Sequence, residues 1–219
     1  LLFYEGKIDE VKAVRVLILG TDSASGKRST AWILRNALVE KGDSAEMIGT
    51  GPTAWMPGAR FGIRLDSLVN DFVAGEIEHV VRRAWQEAAP DVVVVEGQGA
   101  LLHPAYPGGL ELIASVKPDV LLLQDVPARK TFDGFEDLPM PAMQRQIDAL
   151  ELLSGRSVTA LTINAKGLTP SEADSICRTY EAQFDRPAVD VFAEGCDRLI
   201  TQIEERLRTR NPIGDSEPT

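Results

Sequence analysis

Cysteine and histidine are scarce here, with two of each in 219 residues. Cys177 and Cys196 are too few for a disulfide framework and lack the paired spacing of a metal-binding cluster. We therefore expect two reduced thiols in a cytoplasmic protein. Positive charge is also in deficit: 23 Lys and Arg stand against 33 Asp and Glu, a net charge of −10. That balance argues against nucleic-acid or anionic-membrane partners, which need a basic face. It leaves room for a small anionic ligand, since a local site can oppose the global charge. No apolar run approaches the ~20 residues needed to span a bilayer, and no signal peptide is visible. The sequence opens at Leu1 rather than Met, so we expect residues upstream of it.

What is present suits a globular chain: 44% hydrophobic and 26% charged residues. The length fits a single α/β domain over residues 1–211, with a frayed polar tail at 212–219. Branched apolar runs at 14–19, 91–96, 119–124 and 157–163 are hydrophobic on both faces, as strands of a helix-covered parallel sheet must be. Weaker strand signals lie at 44–49 and 187–193. Helical spacing appears at 28–41, ending at Gly42, at 66–88 from Asp66, and at 141–154 from Pro141. Two more helices are expected at 170–183, with Thr169 as N-cap, and at 196–209. The alternation predicts a three-layer, mainly parallel α/β sheet with right-handed crossovers. The residues before Val14 form either an ordered extension or the end of a preceding domain.

Between the first strand and first helix lies GTDSASGKRST, residues 20–30. A helix start offers unpaired amides and a positive dipole end, and so attracts phosphate. The candidate phosphate-binding residues are Gly20, Thr21, Asp22, Ser23, Ala24, Ser25, Gly26, Lys27, Arg28, Ser29 and Thr30. Gly26 permits close backbone approach, Lys27 supplies charge, and the amides from Ser23 to Lys27 form the nest. The strict loop pattern places Ser or Thr after the lysine, as a magnesium ligand. Here Arg28 stands there, leaving Ser29 and Thr30 as candidate hydroxyls, and one position turns a side chain by about 100°.

The second signal is VVVVEGQGALLHPAYPGG, 92–109. Ligands of parallel sheets sit beyond the strands' carboxyl ends. Glu96 is placed there to hold a metal ion or orient a nucleophile, and Gly97, Gln98 and Gly99 let the chain pass close to substrate. His103 is a candidate general base or anion binder, against the alternative of an ordinary loop residue. His79 reads as a helix-face residue.

GTDSASGK, VEGQGALLHP and ALTINAKGLTP resemble dethiobiotin synthetase and its relatives in the SIMIBI class of P-loop proteins. The resemblance implies that Asn164 reads adenine and that Asp66 approaches the metal; helix capping is the alternative for Asp66. A fuller likeness adds MIGTGPTAWM and DFVAGEIE. It points to the C-terminal P-loop domain of a family once of unknown function, some members of which are described as D-glutamate N-acetyltransferases. It implies that Thr50, Gly51 and Thr53 line the substrate side. Glu76 and Glu78 read as surface charge, and Asp71 and Glu78 share a helix face.

Three functions fit these residues. The first is an enzyme that uses ATP and Mg²⁺ to activate a small carboxylate or amine. Lys27, Glu96 and His103 would be catalytic, and Ser29, Asp66 and Glu96 would hold the metal. The second is an acetyl-CoA-dependent N-acetyltransferase for an acidic amino acid, in which Glu96 or His103 deprotonates the amine and Arg60, Arg64 or Arg129 meets carboxylates. The third is a nucleotide-dependent switch, against which no second lysine stands near the loop's start. The expected partners are a small-molecule substrate and, compatible with each reading, further copies of the chain.

Overall fold

The Val14–Gly20 run is buried at every position and forms β1, the middle of a seven-stranded sheet. The structure, a computed structural model, describes residues 1–51 and 53–210. The tail expected at 212–219 lies outside the described residues, as does Pro52. After β1 come α1 (Lys27–Lys41), β2 (Ala45–Gly49), β3 (Phe61–Gly62), α2 (Asn70–Ala88), β4 (Val92–Glu96) and α3 (Leu110–Val116). The remaining elements are β5 (Val120–Asp125), α4 (Met143–Ser154), β6 (Val158–Ile163), α5 (Pro170–Phe184), β7 (Ala188–Val189) and α6 (Asp197–Arg210).

The strand order is β3-β2-β4-β1-β5-β6-β7, and every pair is parallel. Val16 of β1 lies opposite Val94 of β4 and Val120 of β5. Side chains alternate between two cores. Val14, Val16 and Ile18 join Leu34 and Leu38 of α1 and Leu199, Ile200 and Ile203 of α6. Leu17 and Leu19 join Ile77 and Val81 of α2, Leu112 of α3, Ile147 of α4 and Phe184 of α5. The result is a three-layer α/β fold, as the alternating pattern predicts. Arg15 is the charged exception in β1, where it pairs bidentately with Asp119 at 3.1 and 3.3 Å. The two thiols belong to opposite cores. Both are reduced, and burial pushes each up to about 11.

Several boundaries differ from the expectations. The 66–88 pattern breaks in two: Leu65–Ser67 is a 3₁₀ turn, Leu68 and Val69 are extended, and α2 starts at Asn70. Asp66 therefore sits a turn away from that helix's N-terminus and does not cap it. Helix α4, expected from Pro141, starts at Met143, because Ala142 is non-helical at ψ 145°. The last strand is only Ala188–Val189, since the Asp190 carbonyl and carboxylate collect the amides of Phe192, Ala193 and Glu194 into a turn. Helices α5 and α6 and the Gly42 cap of α1 lie within a residue of expectation, and α5 carries a Thr169–Glu172 capping box. Neither β3 nor α3 has a sequence signal of its own: each is shorter than a reliable period.

The residues before β1 are an ordered extension. Phe3 packs on Phe72 at 4.7 Å, and Ile8, Val11 and Ala13 are buried. Glu78, expected on the surface, is buried, and its carboxylate accepts from the amides of Glu5 at 2.7 Å and Ile8 at 2.9 Å. Glu76 accepts from the Leu2 amide. His79 is exposed on its helix, as expected. No helix among the described residues is long and apolar enough to cross a membrane.

Glu78→Ala strands both amides, at a cost of about 2–4 kcal/mol. Thermal denaturation should show Tm lower by roughly 4–16 °C, at the 2–4 °C per kcal/mol of a domain this size. A change within a degree would contradict the anchoring role.

Candidate functional site

The carboxyl ends of β1, β2, β4, β5 and β6 deliver Thr21, Thr50, Glu96, Asp125 and Asn164 to one edge of the sheet, where a parallel sheet places its ligand. The loop after β1 enters α1 through Gly26, whose φ of 103° favours glycine, and no side chain caps that helix. Ser23 to Ser29 line a cavity of about 860 Å³. Facing them are Leu65, Asp66 and Val73, the strand end Glu96–Gly99, and the segment from Ala105 to Leu112, Leu110 excepted.

Lys27 is buried under this loop. Its Nζ donates to the carbonyls of Asp22 and Gly99, both at 2.8 Å, and to Ser25 Oγ at 3.3 Å. Burial pushes its pKa down to about 8, against the pull of Asp22 and Glu96. Glu96 is raised by burial, opposed by the Thr50 amide at 3.2 Å and by Arg28 and Lys27. Arg28 also lines the cavity and donates to the Thr53 hydroxyl. One cavity thus presents two cations, Lys27 and Arg28, and three acids, Asp66, Glu96 and Glu111.

The other loop residues face away from the cavity. Thr21 donates to Asp125 Oδ1 at 2.7 Å, and Thr30, a candidate hydroxyl from sequence, donates instead to Gln124 Oε1 at 2.5 Å. Thr30 is consequently held in the sheet's α1 side, and Ser29 is the hydroxyl on the cavity wall. Asp22 is fully buried: its Oδ1 accepts from Ser23 N, and its Oδ2 from Arg129 at 2.7 Å and Asp133 N at 2.9 Å. Gly20 lies beneath Ser25 and Lys27. Asn164 directs its amide Nδ2 to the Ser25 carbonyl at 2.8 Å and does not line the cavity.

The segment after β2 backs the wall. Thr50 N–H is given to Glu96, its hydroxyl lies 3.4 Å from Gln98, and Gly51 and Thr53 stand outside the cavity lining. Gly97, Gln98 and Gly99 do line it, and Gln98 Nε2 donates to both Asp66 oxygens at 2.9 and 3.1 Å. His103 does not reach the cavity. Its ring is buried among Tyr106, Phe132 and Phe135, and Nδ1 accepts the amides of Ala105 and Tyr106 at 3.1 Å. Nε2 faces Asp22 Oδ1 at 3.4 Å. This places His103 inside the loop as a turn-former, away from a substrate's proton. Arg60 pairs with Glu87, and Arg129 with Asp22, so neither is aimed at a substrate carboxylate. Arg64 is exposed.

Within HPAYPGG the histidine draws the eye, whereas the wall is made by the residues beyond it. Ala100 and Gly108 donate to the Tyr106 carbonyl at 3.1 and 2.7 Å, and a Cβ on Gly108 would lie 2.3 Å from the Gln98 carbonyl. The two glycine-containing segments touch backbone to backbone, which accounts for GQG and PGG occurring together. Among the described residues, no group of three or more His, Cys, Asp or Glu is placed to hold a metal ion.

Lys27 gives a proton-linkage prediction. With its pKa near 8, part of the ligand-free protein carries a neutral lysine above that pH. An anionic ligand favours the charged form, so binding then takes up a proton. Calorimetry in buffers of different ionisation enthalpy should show uptake of a fraction of a proton above pH 8 and none near pH 6. Uptake that persists in Lys27→Met would assign it elsewhere.

Residues 2–200 match the family described as "Domain of unknown function (DUF1611_C) P-loop domain". A D-glutamate N-acetyltransferase of Tritonibacter scottomollicae is 29% identical over 195 residues, covering 86% of this chain and 57% of that protein. The crystal structure of a DUF1611 family protein from Anabaena variabilis superposes with a TM-score of 0.86 at 29% identity, over 94% of this chain and 61% of that one. A nucleotide-binding protein from Archaeoglobus fulgidus, solved with ADP, shares the fold at TM-score 0.59 and 13% identity, over 99% of this chain and 95% of that one. The chain thus spans about three-fifths of the length of the first two proteins it matches. With the loop, the strand order and residues 2–200 all in agreement, the chain belongs to the DUF1611 C-terminal P-loop domain family.

Proposed function

We propose that this chain carries the phosphate-binding and proton-accepting part of an acyl-CoA-dependent N-acetyltransferase acting on an acidic amino acid. The observation that carries the reading is Arg28. It stands where a magnesium-ligating hydroxyl is expected, and its side chain reaches across the cavity wall to Thr53, near enough to Glu96 to lower its pKa. A cation and a base thereby line one cavity, suited to a substrate with a carboxylate and an amine. The name of the Tritonibacter relative supports the acetyl reading.

The loop fits the phosphates of CoA by its uncapped α1 start and by Lys27. The thioester supplies the activated acyl group. The chain's own residues do the rest: Arg28 holds the substrate carboxylate, and Glu96 takes the proton the amine loses as its nitrogen bonds to the acyl carbon and returns it to the thiolate released when the C–S bond breaks. Burial helps, because a carboxylate with raised pKa is a stronger proton acceptor. His103, by its place in the loop, has no part in this transfer.

A second reading, ATP-dependent activation with Mg²⁺, is supported by Ser29, Asp66 and Glu96 all lining this cavity. These oxygen donors suit Mg²⁺. Asp66 would first have to leave Gln98.

Two variants test the first reading. Glu96→Gln should lower kcat by about 100-fold or more, the usual worth of a positioned base, with CoA affinity kept. Arg28→Ser should raise KM for the amino acid about tenfold or more while sparing acetyl-CoA. Because Arg28 lowers the Glu96 pKa, this variant should also move the acid limb of the pH–rate profile to higher pH. Magnesium-dependent ATP consumption coupled to the same substrate, with no acetyl transfer, would favour the second reading.

A further inference from the structure

The phosphate loop is held from behind by a residue that its own sequence does not contain. Arg129, from the segment after β5, donates Nη1 to Asp22 Oδ2 at 2.7 Å and to the Ser23 carbonyl at 2.9 Å, and Nη2 to the Ala24 carbonyl at 3.1 Å. Asn164, at the end of β6, donates to the next carbonyl, that of Ser25. Three consecutive carbonyls are thus drawn to donors that do not line the cavity.

A trans peptide is planar, with its C=O and N–H on opposite sides. Drawing the carbonyls of residues 23–25 outward turns the amides of Ala24, Ser25 and Gly26 the other way. Ala24 adopts φ 45°, a left-handed conformation unfavourable for alanine, and it lies within the braced stretch. We propose that Arg129, assisted by Asn164, is the positioning residue of the phosphate cradle: it fixes the direction of the loop amides, anchored on the buried Asp22 carboxylate. The ligand class is phosphate or pyrophosphate groups, whether on CoA or on a nucleotide. The inference rests on the reading that this loop holds such groups.

The test measures inorganic pyrophosphate and CoA binding by calorimetry, with folding followed by circular dichroism. Arg129→Lys keeps the charge but replaces the planar two-nitrogen fork, which spans Asp22, Ser23 and Ala24, with a single point charge on a shorter head group. It should weaken both ligands about tenfold or more and leave KM for the amino-acid substrate unchanged. Asn164→Ala supplies a second variant if Arg129→Lys does not fold. A brace weakens pyrophosphate and adenine-bearing ligands alike, whereas an adenine reader weakens only the latter, which would remove Asn164 from the proposal. A folded Arg129→Lys that binds pyrophosphate as the wild type does overturns the proposal. Wild-type protein that binds neither pyrophosphate, CoA nor ADP overturns the reading beneath it.

Discussion

The pairing of β1 with β4 on one side and β5 on the other is the constraint on which the site depends. A strand bonded on both edges cannot slide without breaking two ladders, and its side chains would exchange cores. Ile18 is therefore fixed beside Glu96 and Gly20 beside Gln124, which sets the height at which the loop begins. Thr21 continues the ladder with its amide on the Gln124 carbonyl and its hydroxyl on Asp125. Only then does the chain leave the sheet and turn its amides to the cavity.

Charge within the site is arranged against the chain's overall acidity. The net charge of −10 would repel an anion at long range, but screening limits that repulsion to about a nanometre at physiological salt. Closer in, Lys27, Arg28 and the α1 start dominate one wall, and Glu96 and Asp66 the other. Such a cavity discriminates by where a ligand carries each sign of charge, more than by its total charge.

The sequence made the loop, Glu96 and the GQG segment legible because each comes directly after a buried strand, and strand ends fix position. Side-chain direction was less legible. Thr30 and Ser29 are neighbours in sequence, yet one bonds into the sheet and the other faces the cavity. His103 stood out for being rare, but its ring serves two amides of its own loop. Arg129 reads in the sequence as one of three candidates for a substrate carboxylate, and its role behind the loop is hidden because its partners are more than a hundred residues away. Long-range bonds of this kind leave no local pattern. The break before α2 was equally hidden, because Leu68 and Val69 fit helical spacing while being extended.

Lys27 also ties two walls together. Its ammonium joins the Asp22 carbonyl, in the loop, to the Gly99 carbonyl, beyond β4. An incoming phosphate must compete with both oxygens for the same three protons. Drawing the lysine inward would untie Gly99 and, through the Gly99–Gly108 contact, loosen the opposite rim. The two sides of the cavity are therefore mechanically coupled through one ammonium, so that an anion seated in the loop would be felt at the rim built by the GQG and PGG glycines.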